Sequence, residues 1–287
     1  MNTSRRKINL EKEVIPATSD HVFKALMAKC PRYRVELTAM ITGIPEEVIL
    51  NTYYEKNTEH VVDTALEKGR TSDYIFGLDN YIVNYELNDS LKEGLIDRND
   101  NYFDKIKVSI LKMSESYQNM PVFIQINLNN FNKFNRFRDI AVFKSRDEDG
   151  VVETLKWEKY HLSYKKALRK YLNGKKLSKL EKYLVILPLR NKKDLDKVSE
   201  GDDILVEAVK EIKRMTYDLD KVGLYDIEED RKRLEKTGLT AAEERGERRG
   251  LKQGKMETAR ILLKDNIPIA KVVQYTGLSE SQVRKLC

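Results

Sequence analysis

The stretch TSDYIFGLDNYIVNYELND, residues 71–89, has the pattern of a β-hairpin. Two apolar runs flank Asp79-Asn80, a pair that suits a tight two-residue turn. With this turn, Leu78 pairs with Tyr81 and the register runs outward from there. Because side chains alternate between the two faces of a strand, the register predicts that Asp73 lies directly opposite Glu86.

The two acids share one face of this hairpin, and the other face is almost wholly apolar and is the predicted core side. Their Cβ atoms are expected about 4.5–5.5 Å apart, where like charges destabilise a ladder by about 0.2–1 kcal/mol. A divalent cation such as Mg²⁺ between Asp73 and Glu86 would reverse that effect. The alternative is a one-sided hairpin whose polar face is simply solvated, and the hairpin alone leaves both open.

The length and net charge of the chain limit the classes of protein to which it can belong. The chain has 287 residues, enough for one large core plus an appendage or for two modest domains. A net charge of +7 suits a polyanionic partner. No run of 18 apolar residues predicts a membrane span, and the first residues lack the apolar stretch of a signal peptide. Cys30 and Cys287 predict no disulfide framework, and no Cys/His spacing resembles a zinc site. A soluble cytoplasmic protein is expected.

The order of elements predicts an α/β (α+β) fold with a mixed central sheet flanked by helices. Helical periodicity begins at Thr18-Ser19-Asp20, resumes after Pro31 and returns over 90–117. Residues 121–131 alternate as a half-buried strand, residues 138–146 indicate another strand, and residues 155–172 are predicted as a helix. Helix, hairpin, helix, strand, strand and helix together favour the mixed sheet.

From Ser178 onward the pattern is mainly helical, although KLEKYLVILPL, residues 179–189, suits either a short buried helix or a short strand that Pro188 ends. We divide the chain into a core at 1–175, a helical extension at 176–229, a polar linker helix at 230–256 and a helix-turn-helix-like piece at 257–287. In this last piece Ser279 is placed to cap the second helix and Leu278 to pack back into the pair. Arg284 and Lys285 are its candidate DNA contacts, and a helical hairpin used for packing or self-association is the alternative.

Several segments together resemble the recombination-promoting nuclease (Rpn) family, also classed as transposases, within the PD-(D/E)xK nuclease superfamily. SDHVFKALM is similar to the family's opening segment, KGRTSDYIF to the strand of its first metal acid, and NYELN to the strand of its second. RNDNY matches an Arg-x-x-x-Tyr pair on the following helix, and the TGLSESQVRKL ending is also typical. The residues that correspond to the family's pattern are Asp20, Phe23, Lys24, Asp73, Glu86, Arg98 and Tyr102.

The resemblance implies a restriction-endonuclease-like core and a metal-dependent DNA endonuclease. Asp73 and Glu86 would be the ligands of Mg²⁺ or Mn²⁺, and the link to recombination or mobile elements comes from the family alone. DNA is the implied partner, no membrane is expected, and assembly into a homodimer stays open. A non-catalytic DNA-binding or scaffold protein on a degenerate nuclease core is the alternative.

Two departures from the superfamily pattern concern the chemistry. Ser72 stands where a proline precedes the first acid, and Asn88 stands where the superfamily has lysine and this family commonly glutamine. We predict a catalytic position for Asn88, although an asparagine orients water by hydrogen bonds without supplying charge. Lys68 or Arg70 could supply that charge.

The remaining candidates each have a structural alternative. Asp20 is a second-shell candidate beside Lys24, or simply a helix N-cap. Arg98 and Tyr102 share a helix face, where they either bind a strand phosphate or close the helix onto the sheet. Gln125 could point to the acid face, although a solvated position is favoured.

The segment NNFNKFNRFR, residues 129–138, mixes aromatic, amide and basic side chains after a strand. Lys133, Arg136 and Arg138 are candidate nucleic-acid contacts, because this composition suits backbone contact and base stacking. The alternative is a loop whose phenylalanines are simply buried.

Overall fold

The computed structural model describes residues 9–55, 59–60, 70–71, 73–91, 93–111, 120–222, 250, 253–265 and 267–286. Two compact units divide the chain, Met1–Arg231 and Lys232–Cys287. The strands of the first unit are β1 (Tyr54–Glu55), β2 (Glu59–His60), β3 (Arg70–Thr71), β4 (Tyr74–Leu78), β5 (Tyr81–Asn88), β6 (Val122–Asn129), β7 (Ile140–Arg146) and β8 (Val152–Ser163).

Six of these strands form one mixed sheet in the order β1-β4-β5-β6-β8-β7, and β2 pairs with β3 separately. The inner strands β5, β6 and β8 are parallel, whereas β1, β4 and β7 join antiparallel. A parallel pair needs a crossover connection, and a long helix after β5 supplies it before β6. The predicted mixed α/β architecture is therefore confirmed.

The helices of this unit surround the sheet. They are α1 (Asp20–Lys29), α2 (Pro31–Thr42), α3 (Glu46–Thr52), α4 (Leu95–Leu111), α5 (Tyr164–Leu172), α6 (Lys179–Val185), α7 (Lys192–Ser199) and α8 (Asp203–Val222). The predicted helical extension contributes to the same core, because Tyr183 of α6, Leu195 of α7 and Val209 of α8 are buried in it. No helix in the described parts of the chain is long and apolar enough to cross a membrane.

One face of the sheet, which we call the apolar face, forms the main hydrophobic core. Phe76, Val83 and Tyr85 of the hairpin belong to this core. Ile126 of β6 and Leu162 of β8 continue it across the parallel strands. Helices α1, α2 and α8 pack on this side, so the face that alternation predicted as the core side of the hairpin is the core side.

The opposite face, which we call the polar face, is also buried. Ile75, Ile82 and Phe123 form a small apolar cluster with Phe103 and Ile106 of α4. The prediction that β6 is half-buried is therefore wrong, because α4 covers the face that alternation assigned to solvent. A strand with helices on both faces buries its polar positions together with its apolar ones.

The prediction of one helix over residues 155–172 is also wrong. Val152–Ser163 is the strand β8, and only Tyr164–Leu172 is helical. Apolar residues at Trp157, Tyr160 and Tyr164 mimic helical spacing, but β8 is held between β6 and β7 by two ladders. Pairing on both sides overrides a local preference of this size.

The second unit contains a small helical cluster. Its helices are α9, described over 253–264, α10 (Ile269–Thr276) and α11 (Glu280–Arg284). Ala259, Val272, Leu278 and Val283 form its buried centre. Ser279 caps α11 in a capping box with Gln282, and Leu278 is buried, as predicted. Most of the predicted linker at 230–256 lies outside the described residues.

Candidate functional site

The hairpin register brings the two predicted acids together at one end of β4 and β5. Leu78 pairs with Tyr81 and Tyr74 with Tyr85, so the predicted register is confirmed. The ladder ends at Tyr74 and Tyr85, and the Asp73 charge raises the pKa of Glu86, so the two acids lie near each other just beyond this end. Asp73 lies just before β4, and its Oδ2 accepts a hydrogen bond of 2.5 Å from the backbone N–H of Leu87.

Burial makes both carboxyl groups of this acid pair difficult to ionise. Glu86 is only 3% exposed, and burial, followed by the nearby Asp73 charge, raises the pKa of its carboxyl to about 8. Burial likewise raises the pKa of Asp73 to about 6, although the Leu87 N–H opposes this shift. Asn84 Nδ2 donates to Glu86 Oε1 at 3.0 Å and favours its charged form. Each carboxyl therefore keeps its proton to a higher pH than a solvent-exposed acid does.

The acid pair has no counter-ion at contact distance among the described side chains, because no ion pair there includes Asp73 or Glu86. Buried carboxylates without such a partner are costly. A cation bound between these two would neutralise their negative charge. Within the described ranges no group of three or more His, Cys, Asp or Glu could hold a metal. A cation here would take two carboxylates and fill its shell with water or substrate oxygens, as Mg²⁺ commonly does.

Three of the predicted second-shell residues affect this pair through their charges. Lys24 and Arg98 lower the pKa of both acids, and Asp20 raises that of Asp73. Asp20 is the first residue of α1 and pairs with Lys24 at 3.0 Å. The N-cap interpretation of Asp20 is wrong, because Ser19 occupies the cap position. Tyr102 lies under Arg98, whose guanidinium carbon is 5.7 Å from the ring centre.

Asn88 belongs to a network of buried amides. Its Nδ2 donates to Asn129 Oδ1 at 3.0 Å, and its Oδ1 accepts from Asn99 Nδ2 at 3.1 Å. Asn99 Nδ2 also donates to Asn127 Oδ1 at 3.1 Å, so one α4 side chain joins β5 to β6. Asn88, predicted as a catalytic residue, therefore has both ends of its amide engaged in holding these strands and α4 together.

The amides form rows across the parallel strands on the polar face. Asn84 pairs with Gln125, Glu86 with Asn127, and Asn88 with Asn129. Sequence reasoning missed Asn84, Asn99, Asn127, Asn129 and His161. A signal was present, since polar residues recur at every second position in both NYELN and QINLN. Only the register between β5 and β6 shows that the polar residues of both strands lie on the same face of the sheet.

A cleft of about 250 Å³, including its open mouth, lies between these rows, the start of α4 and the segment after β6. Its polar walls carry the amides of Asn88, Asn99, Gln125, Asn127 and Asn129. Phe131, Phe134 and His161 supply its aromatic side.

Gln125 was predicted to be solvated, and this prediction is wrong. Its side chain is fully buried on the polar face. Its Nε2 donates to the backbone oxygen of Asn99 at 3.2 Å, whereas its Oε1 has no hydrogen-bond partner among the described residues. A buried acceptor without a donor costs about 1–3 kcal/mol, so Gln125 offers the cleft an unused acceptor.

His161 lies on β8 at the edge of this cleft. Burial, followed by the nearby Lys159 charge, lowers the pKa of its imidazole to about 4, so the ring is neutral near pH 7. The ring packs on Phe134, with centroids 4.3 Å apart, and on Phe143 at 5.4 Å. The neutral imidazole and the Phe134 ring form an uncharged aromatic edge of the cleft, and Phe143 packs behind the imidazole.

The basic residues predicted after β6 are exposed on the segment that borders the cleft. Lys133 Nζ lies 5.2 Å from the Phe134 ring centre, and the Arg136 guanidinium lies 5.2 Å from that of Phe137. Arg138 is exposed beside them. The alternative that the phenylalanines are simply buried is wrong for Phe137, which is 87% exposed.

The remaining predicted cations are Lys68, Arg70, Arg284 and Lys285. Lys68 lies outside the described residues, as does the side chain of Arg70. In the second unit Arg284 and Lys285 are exposed, and Arg284 is paired with Glu280 at 2.6 Å.

No protein-family model, curated protein or solved structure matches this chain.

Proposed function

We propose that the first unit is a metal-dependent DNA endonuclease with a restriction-endonuclease-like core. The observation that carries this proposal is the acid pair, two carboxylates opposed across a hairpin, largely removed from solvent and lacking a described counter-ion. A purely structural role would gain nothing from this repulsion, and strained or costly arrangements concentrate at functional sites. The resemblance to the Rpn family supports the same activity and carries the link to recombination.

The residues around the pair fit a cation. Mg²⁺ or Mn²⁺ held by Asp73 and Glu86 would supply activation of water and neutralisation of charge on a phosphodiester. The Leu87 N–H fixes the Asp73 carboxylate, and the Asn84 amide fixes that of Glu86. Lys24 and Arg98 add positive potential, which favours an approaching phosphate.

The exposed cations after β6 provide a surface for the DNA backbone. Lys133, Arg136 and Arg138 would bind phosphates through counterion release, which carries little sequence information. Affinity should therefore fall as salt concentration rises.

Cleavage of supercoiled plasmid in the presence of Mg²⁺ tests the proposal. Asp73→Asn and Glu86→Gln should each reduce nicking at least about a hundredfold, because each removes a metal-ligand charge. Asp79→Asn is the matched control, since it removes an exposed acid from the turn of the same hairpin. It should cleave like the wild type.

Thermal unfolding of the same three variants separates loss of chemistry from loss of fold. The proposal fails if Asp73→Asn cleaves as fast as the parent protein, or if no divalent metal supports cleavage by the folded wild-type protein.

A non-catalytic DNA-binding protein on the same core is the second candidate. The engagement of both ends of the Asn88 amide favours it, because this position then supplies neither charge nor a free amide for chemistry. Salt-sensitive DNA binding with no cleavage under any divalent metal would identify this function.

A further inference from the structure

A run of positive charge begins near the end of β8 and continues through α5 to the start of α6. Residues 159–180 contain no Asp or Glu and eight basic side chains: Lys159, Lys165, Lys166, Arg169, Lys170, Lys175, Lys176 and Lys179. The excess of positive charge in this short segment is larger than the net charge of +7 of the whole chain. Such a concentration of one sign attracts a polyanion.

Only half of these cations are used by the fold. The cations that pair with acidic side chains of the first unit are Lys159, Lys166, Lys170 and Lys179. The other half, which we call the free cations, are exposed and form no ion pair with a described side chain: Lys165, Arg169, Lys175 and Lys176. Their positive charge is therefore available to a partner.

Helix stability does not account for the first free cation. Positive side chains complement the helix dipole in the last turn, where Arg169 lies, and oppose it in the first turn. The first turn of α5 has no acidic residue, and its two lysines differ in their partners. Lys166 pairs with Asp139, whereas Lys165 opposes the dipole without a partner among the described residues. A bound anion would offset that unfavourable interaction.

An ordered turn after α5 carries the last two free cations. The backbone N–H of Lys175 donates to the Lys170 oxygen at 3.1 Å, and that of Gly174 donates to the Tyr171 oxygen at 2.8 Å. With Gly174 at a φ of 66°, these bonds form a Schellman motif. The backbone therefore fixes where Lys175 and Lys176 stand relative to α5.

The free cations begin at the edge of the sheet that carries the acid pair. Ser163 ends β8 and caps α5, and the parallel register aligns it with the ends of β5 and β6. The Tyr164 hydroxyl donates to Asp89 Oδ1, directly after β5, at 3.2 Å. Glu86 lies three residues before Asp89, about 10 Å along the strand. A polyanion at the acid pair would thus lie close to the start of α5.

Lys166 also joins α5 to the basic residues after β6. Its Nζ pairs with Asp139 at 2.7 Å and donates to the backbone oxygen of Arg138 at 3.4 Å. Lys133, Arg136 and Arg138 are exposed on that segment. The two groups of cations therefore adjoin each other.

We propose that the four free cations bind the phosphate backbone of duplex DNA and extend the surface formed by Lys133, Arg136 and Arg138. The inference rests on the proposed function for DNA as the polyanion at this edge of the sheet. Because phosphate contacts position a nucleic acid without reading its bases, this surface would hold a duplex of any sequence beside the acid pair.

The salt dependence of DNA binding tests the proposal. Fluorescence anisotropy in EDTA, with a labelled blunt duplex of about twenty base pairs, measures the association constant between about 50 and 200 mM KCl without cleavage. Each phosphate contact steepens its logarithmic dependence on salt by about 0.9. Lys165→Gln/Arg169→Gln and Lys175→Gln/Lys176→Gln should therefore each reduce the slope by about 1.8 and weaken binding about tenfold or more near 100 mM KCl.

Lys193→Gln/Lys197→Gln is the matched control. It removes two exposed lysines, also four residues apart, from α7, which carries acidic residues between them. This variant should keep the wild-type slope. Thermal unfolding should show that all three variants are folded, because each change is at an exposed position.

Wild-type slopes in both α5 variants would overturn the proposal. An equal loss in the α7 control would also overturn it, because the effect would then follow net charge rather than this surface. Binding to phosphatidylserine vesicles without binding to the duplex would show that an anionic membrane is the partner instead.

Failure of this surface and failure of the nuclease are distinguishable. Cleavage in Mg²⁺ by the wild-type protein, with unchanged slopes in the α5 variants, would retain the nuclease and reject the surface. Reduced slopes in those variants, with no cleavage under any divalent metal, would retain the surface and reject the nuclease.

Discussion

The two faces of the six-stranded sheet are both buried, yet they are built from different side chains. The apolar face joins one continuous core with α1, α2 and α8, whereas the polar face covers its few apolar residues with α4 and buries rows of amides and Glu86 beside them. Burial of apolar surface stabilises the fold directly. A buried hydrogen bond adds only about 0.5–1.5 kcal/mol, and burial of polar groups needs a partner for every donor and acceptor. The unpartnered groups of the polar face are therefore where we expect ligands.

The largest effect is expected on the apolar face. Phe76→Ala removes a fully buried ring from the main core and should lower the free energy of unfolding by about 3–5 kcal/mol. Urea unfolding followed by circular dichroism measures this loss. Leu172→Ala, at an exposed position of α5, is the control and should change little. A loss under about 1 kcal/mol for Phe76→Ala would show that this face is not the main source of stability.

A smaller loss is expected from the amide network. Asn99→Ala leaves the buried oxygens of Asn88 and Asn127 without their shared donor and should cost about 1–3 kcal/mol. The same change at the exposed Asn101 of α4 is the matched control. If both variants unfold at the same urea concentration, the network contributes no net stability and the two faces differ less than we infer.

The acid pair should make stability depend on pH in a direction opposite to most carboxylates. The folded-state pKa of Glu86 is raised to about 8, so its contribution is present at low pH and is lost as pH rises through that value. Without metal, the free energy of unfolding should fall by about 1–2 kcal/mol more in the wild type than in Glu86→Gln between about pH 6.5 and 8.5.

The other titrating groups are the same in the wild type and in Glu86→Gln, so their effects cancel when the two pH profiles are subtracted. Parallel pH profiles for the two proteins would mean that Glu86 is ionised in the folded state across this range, because a basic side chain of the protein neutralises it. The metal-site interpretation would then be lost.

The smallest effect is expected from Mg²⁺ itself. A ligand that binds only the folded state stabilises it, by about 1 kcal/mol when its concentration is several times its dissociation constant. This gain should shrink in Glu86→Gln and persist in Asp79→Asn. Thermal unfolding with and without Mg²⁺ measures it, and an equal gain in all three proteins would place the cation elsewhere.

The hairpin and its acid pair were predictable because their determinants are local. The turn at Asp79-Asn80 sets the register, and alternation then assigns Asp73 and Glu86 to one face without any knowledge of the rest of the fold. The paired helices before and after Pro31 were predictable for the same reason, since periodicity and a first-turn proline are read along the chain.

The amide rows and His161 were not predictable in this way. Asn84 meets Gln125 only through a parallel register between strands that α4 separates in the sequence, and periodicity within one strand does not determine that register. His161 was assigned to a helix because the aromatic spacing of β8 resembles one. Alternation predicts that the polar face of the sheet is exposed to solvent. Helix α4 covers that face instead, and this packing is visible only in the tertiary structure.

The two-residue turn at Asp79-Asn80 makes the candidate site sensitive to insertions in the gene. That turn sets which residues of β4 and β5 lie opposite each other. A one-residue slip of β5 would therefore move Glu86 to the apolar face. An in-frame insertion of one codon there could disable the site without altering any of its side chains. Longer insertions between β7 and β8, at the exposed Asp147–Gly150 turn, would leave the spacing intact.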